Sequence, residues 1–194
     1  KPVLLSNGTL LCPSSIEGDG WRLRMESTPD FGKTWQMSDT LSRGKDKINA
    51  IQPSILFHAG GKIQAIARTR NRALASTWSN DNGKTWSDLK LLELPNNNSG
   101  TDAVTLQNGT HLLVYNHVLP PGDLAKGPRT PLNLSVSKDG VHWNAALILE
   151  DSKISQYSYP SIIQSADGMV HVVYTWRRER IKYVKIDPSK LVAL

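Results

Sequence analysis

Short runs of apolar residues alternate with polar ones along the whole chain, and no segment sustains the 3.6-residue spacing of an amphipathic helix. The period-2 pattern predicts strands over residues 2–5, 9–13, 22–27 and 35–39, then 51–57, 62–69, 73–79 and 87–93. A third group covers 102–106, 111–116, 132–137 and 143–149, and a last group of only three covers 159–164, 169–176 and 181–186. Asn7-Gly8, Gly60-Gly61, Asn96-Asn97-Asn98, Asn108-Gly109 and Asp167-Gly168 punctuate them, and the longest predicted loop runs from residue 119 to 129. The chain therefore reads as all-β, about fifteen strands in nearly four units spanning 1–45, 46–98, 99–155 and 156–194.

An internal repeat supports that division. Thr28-Pro-Asp30-Phe-Gly32-Lys-Thr34-Trp35 and Ser79-Asn-Asp81-Asn-Gly83-Lys-Thr85-Trp86 match at every position of Ser/Thr-x-Asp-x-Gly-x-Thr-Trp. Ser137-Lys-Asp139-Gly140-Val-His142-Trp143 keeps the Ser, Asp, Gly and Trp in a shorter form. A period of about 50 residues with strand-like flanks is that of β-propeller blades. The octamer is hairpin-turn chemistry: the Asp accepts backbone N–H groups, the Gly takes positive φ, and the Trp is expected to plug into the blade. Asp30, Asp81 and Asp139 are thus read as structural. A last blade of three strands leaves an unpaired edge, so the ring is expected to be completed by blades from a longer parent chain or another subunit.

Composition narrows the function. Of the 194 residues 39% are hydrophobic, and no stretch approaches the roughly 18 apolar residues of a spanning helix. Residues 1–6 lack the layout of a signal peptide. The lone Cys12, expected to be a small buried hydrophobe, allows no internal disulfide, and His117, His142 and His171 lack metal-ligand spacing, so neither metal nor cofactor is called for. A net charge of +6 favours acidic ligands. Its tightest cluster is Arg177, Arg178 and Arg180, and no nucleic-acid-binding motif accompanies it. Arg70 and Arg72 read as solvated. Sequons at Asn7, Asn97, Asn108 and Asn133 fit a secreted, periplasmic or extracellular protein.

The octamers resemble the Asp-boxes of sialidases, and the residues between them extend the resemblance. Gln52-Pro53-Ser54-Ile55 followed by Arg68-Thr69-Arg70 and a box is similar to the sialidase segment that carries the second arginine of a carboxylate-binding triad, which implies that role for Arg68. Arg129, a strand and then a box resembles the segment of the third arginine. Tyr159-Pro-Ser-Ile-Ile-Gln-Ser-Ala-Asp167-Gly168 resembles the nucleophile segment and implies a nucleophilic role for Tyr159. The resemblance, to BNR-repeat proteins, covers nearly the whole chain. It implies the C-terminal portion of a six-bladed propeller and an exo-glycoside hydrolase acting on an acidic carbohydrate, with no membrane or nucleic-acid partner.

The pattern departs at Gln52, which stands where the resemblance implies the glutamate that takes the tyrosine's proton; an amide cannot do so. Asp102, from the next unit, is the candidate stand-in. The first arginine and the acid/base aspartate of such sites fall before this chain. A uronate-directed hydrolase or lyase, or a non-catalytic carbohydrate-binding propeller, are the alternatives. For Arg68 the competing role is an ordinary ion pair, and for Tyr159 ordinary packing.

Overall fold

The computed structural model describes residues 1–191; the final three residues of the predicted fourth unit lie outside the described residues. Fifteen strands form four antiparallel sheets, each in simple up-and-down order, arranged as propeller blades. Blade 1 holds β1 (Val3–Leu4), β2 (Leu10–Ile16), β3 (Arg22–Thr28) and β4 (Gln36–Met37), and blade 2 holds β5 (Ala50–Phe57), β6 (Ile63–Thr69), β7 (Ala73–Ser79) and β8 (Lys90–Pro95). Blade 3 holds β9 (Asp102–Thr105), β10 (His111–Tyr115), β11 (Leu132–Ser137) and β12 (Asn144–Glu150). Blade 4 holds β13 (Tyr157–Gln164), β14 (Val170–Trp176) and β15 (Arg180–Ile186).

The blades pack face to face through three buried clusters. Leu11, Leu23 and Met25 of blade 1 meet Ile55, Ile63 and Ala65 of blade 2. Leu56, Ile66 and Leu74 of blade 2 meet Leu113 and Tyr115 of blade 3. Leu112, Val114 and Leu134 of blade 3 meet Ile162, Val172 and Tyr174 of blade 4. A blade covered on both faces loses the usual exposed half of an antiparallel sheet. Every residue of β6 is accordingly buried, whereas β15 is largely exposed.

The boxes close the β3–β4, β7–β8 and β11–β12 hairpins. In the second, Asp81 Oδ1 accepts the Thr85 N–H at 2.9 Å and Gly83 has φ 78°. Burial opposes ionisation of Asp81, but its bonds from Thr85 and Ser79 hold the pKa down at about 2. Each box Trp donates Nε1–H to the carbonyl of its own turn glycine, and Trp86 and Trp143 pack on the clusters between blades. Trp35 departs from the expected plug: it stays 54% exposed, beside the exposed Phe31 and Met37. Cys12 is half-buried on β2 rather than in the core. Asn7 and Asn108 stand in exposed hairpin turns, whereas Asn97 is buried and donates to the Pro128 carbonyl, which closes that sequon in the folded chain. No helix among the described residues is long and apolar enough to cross a membrane.

Candidate functional site

Two inner strands break register at matching points. In β13 the break lies between Ser158 and Ser161, and Tyr159 has φ 51°; in β5 it lies between Ile51 and Ser54, and Gln52 has φ 55°. Both residues precede a proline, and a non-glycine residue in the left-handed region costs about 1–3 kcal/mol. The bulge turns each side chain out of its sheet, leaving Tyr159 49% exposed. The Gln52 N–H donates to Ser15 Oγ at 2.8 Å. Gly100 lies beside both: a Cβ there would sit 3.2 Å from Tyr159 Cδ1, crowding the ring, and 3.6 Å from Gln52 Oε1, an ordinary contact.

Arg68, at the end of β6, is 8% exposed, and its Nε and Nη1 have no hydrogen-bond partner. Its guanidinium lies 4.7 Å over the Trp21 ring, and that of Arg70 lies 4.4 Å over the same ring. Arg129 lies in the loop between β10 and β11, with its backbone N–H on Ser155 Oγ at 3.0 Å and its guanidinium 5.1 Å over the Tyr159 ring. That loop is tied down by Arg72, which donates to the carbonyls of Gly122 at 2.5 Å and of Leu124 and Pro120, each at 3.0 Å. Arg72 is therefore a loop anchor, not a solvated residue. Among the described residues neither Arg68 nor Arg129 has a carboxylate within ion-pair distance, so the competing role of an ordinary ion pair does not apply to Arg68.

The electrostatics follow. Arg129, and after it Arg68, hold the Tyr159 phenol below its ordinary pKa against the opposing effect of burial. Burial in turn lowers the pKa of Arg68, and the Tyr159 hydroxyl partly offsets this. A cavity of about 560 Å³ brings Trp21, Arg68, Arg70, Arg129 and Tyr159 together, with Glu17 at its edge. A second cavity of about 350 Å³ holds Gln52, Gly100 and Asp102, and Tyr159 lines both.

Asp102 is 6% exposed and fully engaged. Its Oδ1 accepts from Ser54 Oγ at 2.8 Å and from its neighbour's N–H at 3.0 Å; its Oδ2 accepts from Lys1 Nζ at 2.6 Å and from the Ile162 N–H at 2.8 Å. These bonds join the inner strands of blades 2, 3 and 4, and they leave the carboxylate no free oxygen for a proton from Tyr159. The geometry is that of a structural clamp. Among the described residues no group of three or more His, Cys, Asp or Glu side chains could hold a metal ion. Asn116 is buried and donates to the Pro131 and Tyr157 carbonyls, and His117 pairs with the Tyr115 hydroxyl.

Trp21, Arg70 and Gly100 were not among the sequence-predicted site residues. Trp21 is a tryptophan outside every box, and that was the signal available for it. Arg70 gave none, because its partner comes from another blade.

A family model described as a BNR repeat-like domain matches residues 1–172. Among solved structures, the K499G mutant of NanB sialidase from Streptococcus pneumoniae is 18% identical with a TM-score of 0.77, over 98% of this chain and 31% of that one. The intramolecular trans-sialidase from Ruminococcus gnavus, solved with oseltamivir carboxylate, is 17% identical with a TM-score of 0.77, over 98% of this chain and 43% of that one. A protein of unknown function from Dyadobacter fermentans is 19% identical with a TM-score of 0.70, over 89% and 47%. The chain thus spans less than half the length of each, and at these identities the likeness is one of fold. No curated protein matches the chain.

Proposed function

The chain belongs to the BNR repeat-like domain family, and from that premise we propose that it carries the acidic-sugar site of a sialidase-like exo-glycoside hydrolase. The observation that carries this reading is the convergence of the unpaired Arg68 and Arg129 guanidinium groups on the Tyr159 phenol. Two guanidinium groups suit a sugar carboxylate, which they bind by charge-assisted pairs that lysine could not reproduce.

In this reading the Tyr159 oxygen attacks the anomeric carbon and the glycosidic C–O bond breaks, as in the sialidase exception to two-carboxylate hydrolysis. The departing oxygen takes a proton, for which the acid form of Glu17, a side chain that lines the cavity, is the donor. Because Gln52 cannot accept the phenol's proton and Asp102 is occupied, what favours the phenolate is the cationic pair, an effect that a bound carboxylate weakens. The ring is completed by blades of a longer chain or of another subunit, and the exposed Phe31, Trp35, Ile181 and Tyr183 support that. A glycan substrate of this class fits a secreted, periplasmic or extracellular location.

The Gln52 amide favours a second reading, a propeller that holds an acidic sugar without cleaving it. A uronate-directed enzyme also remains compatible with the carboxylate grip. Calorimetric titration with sialic acid, with glucuronate and with the methyl ester of each tests the shared core. The free acids bind, the esters bind at least about tenfold more weakly, and Arg68→Gln removes that difference. Equal affinity for acid and ester would sink the carboxylate site. Turnover of a fluorogenic sialoside then separates hydrolase from binding protein.

A further inference from the structure

The turn between β14 and β15 places two arginines where backbone geometry favours asparagine and glycine. Arg177 has φ 54° and Arg178 φ 59°, and the Glu179 N–H closes the turn on the Trp176 carbonyl at 3.0 Å. A left-handed pair of this kind is ordinarily filled by Asn-Gly or similar residues. Strain of that sort persists where the surroundings demand it, and it concentrates at ligand sites.

The arginines of this segment divide by what they touch. Arg177 and Arg180 both stack on Trp176, at 4.8 Å each, and both reach Glu179. Arg178 has no carboxylate partner among the described residues. Its Nε donates to Gln156 Oε1 at 2.6 Å, a neutral partner that fixes the side chain without cancelling its charge, and it lines the cavity that holds Arg68 and Arg129.

The charge in that cavity exceeds what one carboxylate needs. Arg68, Arg70, Lys126, Arg129 and Arg178 all line it, with Glu17 as the opposing charge, and none of these cations is ion-paired among the described residues. Arg68 is more than nine-tenths buried with two unpartnered nitrogens, whereas Arg70, Lys126 and Arg178 are exposed at the cavity. Even a three-arginine grip on one carboxylate, with Arg68 and Arg129 supplying two of the three, leaves cations over in this lining. Arg70, held on the Trp21 ring, and Arg178, held by Gln156, line the same cavity and are left over.

We propose that Arg70 and Arg178 form a second anion-binding subsite, and that the ligand is an acidic glycan carrying at least two negative groups, carboxylate or sulfate, on neighbouring sugars. The inference rests on the carboxylate-binding reading of Arg68 and Arg129 and deepens it. It assigns the strained turn a purpose, which is to present Arg178 to the second charge.

The test compares sialic acid with α2,8-linked disialic acid, and galacturonate with digalacturonate, by calorimetric titration of the protein. The dianion binds about tenfold or more tightly than the monoanion in at least one pair, and Arg70→Gln or Arg178→Gln brings that ratio below about twofold. Arg68→Gln instead weakens both members of a pair. Arg178→Gly relieves the turn, so it raises the melting temperature while abolishing the dianion preference, which also controls for misfolding. A ratio below about twofold in the unmodified protein, or one that survives the Arg70 and Arg178 substitutions, overturns the second subsite and leaves the first intact. Failure of every monoanion to bind removes the first site and this inference with it. An equal gain in sialic acid affinity from added inorganic sulfate would mean an independent ion site, and would overturn the assignment of a dianionic glycan.

Discussion

Gln52 and Tyr159 occupy the same backbone station in two different blades, each with a left-handed φ immediately before a proline and each at a break in the register of an inner strand. The two bulges bring both side chains beside Gly100. On the proposed reading, the strained station at Gln52 is that of the tyrosine's proton-accepting partner, filled here by an amide. Gln52→Glu supplies the missing carboxylate without altering the backbone. Hydrolysis of a fluorogenic sialoside is expected to rise by about 100-fold, the lower end of the usual range for general base catalysis. Gly100→Ala in the same background crowds the Tyr159 ring and cancels the gain. A Gln52→Glu protein no more active than its parent would remove this position from the mechanism.

The Tyr159 phenol should titrate below the ordinary tyrosine value of about 10. Arg129 stabilises the phenolate, so Arg129→Gln moves the pKa upward. A bound carboxylate that neutralises the arginines acts in the same direction. By linkage, affinity for an acidic sugar falls as pH rises through the Tyr159 pKa, because the phenolate and the ligand compete for the same cations. Ultraviolet difference titration against Tyr159→Phe isolates the group, since burial pushes Tyr115 up to about 12. A Tyr159 pKa that does not respond to Arg129→Gln would show that the guanidinium does not act on the phenol.

What could be read from sequence was whatever is encoded locally. The strands announce themselves by alternation, and the boxes by an Asp, a Gly and a Thr that bond within one turn; the observed β7 and β11 coincide with the predicted 73–79 and 132–137. Trp35 was misread because a plug needs a neighbouring face, and the octamer does not say whether one is there. The left-handed backbone at Gln52 and Tyr159 was hidden behind a strand-like pattern, although Gln-Pro-Ser-Ile and Tyr-Pro-Ser-Ile repeat each other. Arg70 and Arg72 could not be sorted at all. One rests on Trp21 and the other holds a loop some fifty residues on, and neither partner leaves a trace beside the arginine.

Asp102 joins three blades through one carboxylate, and its replacement should cost stability before it costs chemistry. Asp102→Asn keeps the shape but turns one of the two accepting oxygens into a donor, facing either Ser54 or the Ile162 N–H. Unmaking a buried charge-assisted pair costs about 3 kcal/mol. Urea unfolding should show that loss as a lower midpoint with an unchanged slope. A variant as stable as its parent would mean that the clamp is not what holds the inner strands together.

The junction of blades 2 and 3 should fail in acid. His111 is 1% exposed, with its ring centroid 4.4 Å from that of His58, which in turn lies 4.7 Å from the Trp78 ring. Thr105 Oγ1 and Gln64 Oε1 each hold one of the two rings at 3.0 Å. Burial, then the charge of His58, pushes His111 down to about 4, and burial also lowers His58; Asp139 opposes both shifts and is outweighed. A depressed histidine favours the neutral ring in the folded state, whereas the unfolded chain takes up its proton near pH 6.5. The stabilisation is therefore complete above about pH 6.5 and is lost as pH falls toward about 4, where His111 alone accounts for about 3 kcal/mol. Urea midpoints measured at about pH 7.5 and about pH 5 should differ in the parent and differ less in His111→Gln, whose amide does not titrate in that window and which leaves His58 as a titrating group. Midpoints equally pH-dependent in both proteins would locate the acid lability elsewhere, most directly at His58, because the carboxylates held by the boxes act in the same direction only at pH values below this window.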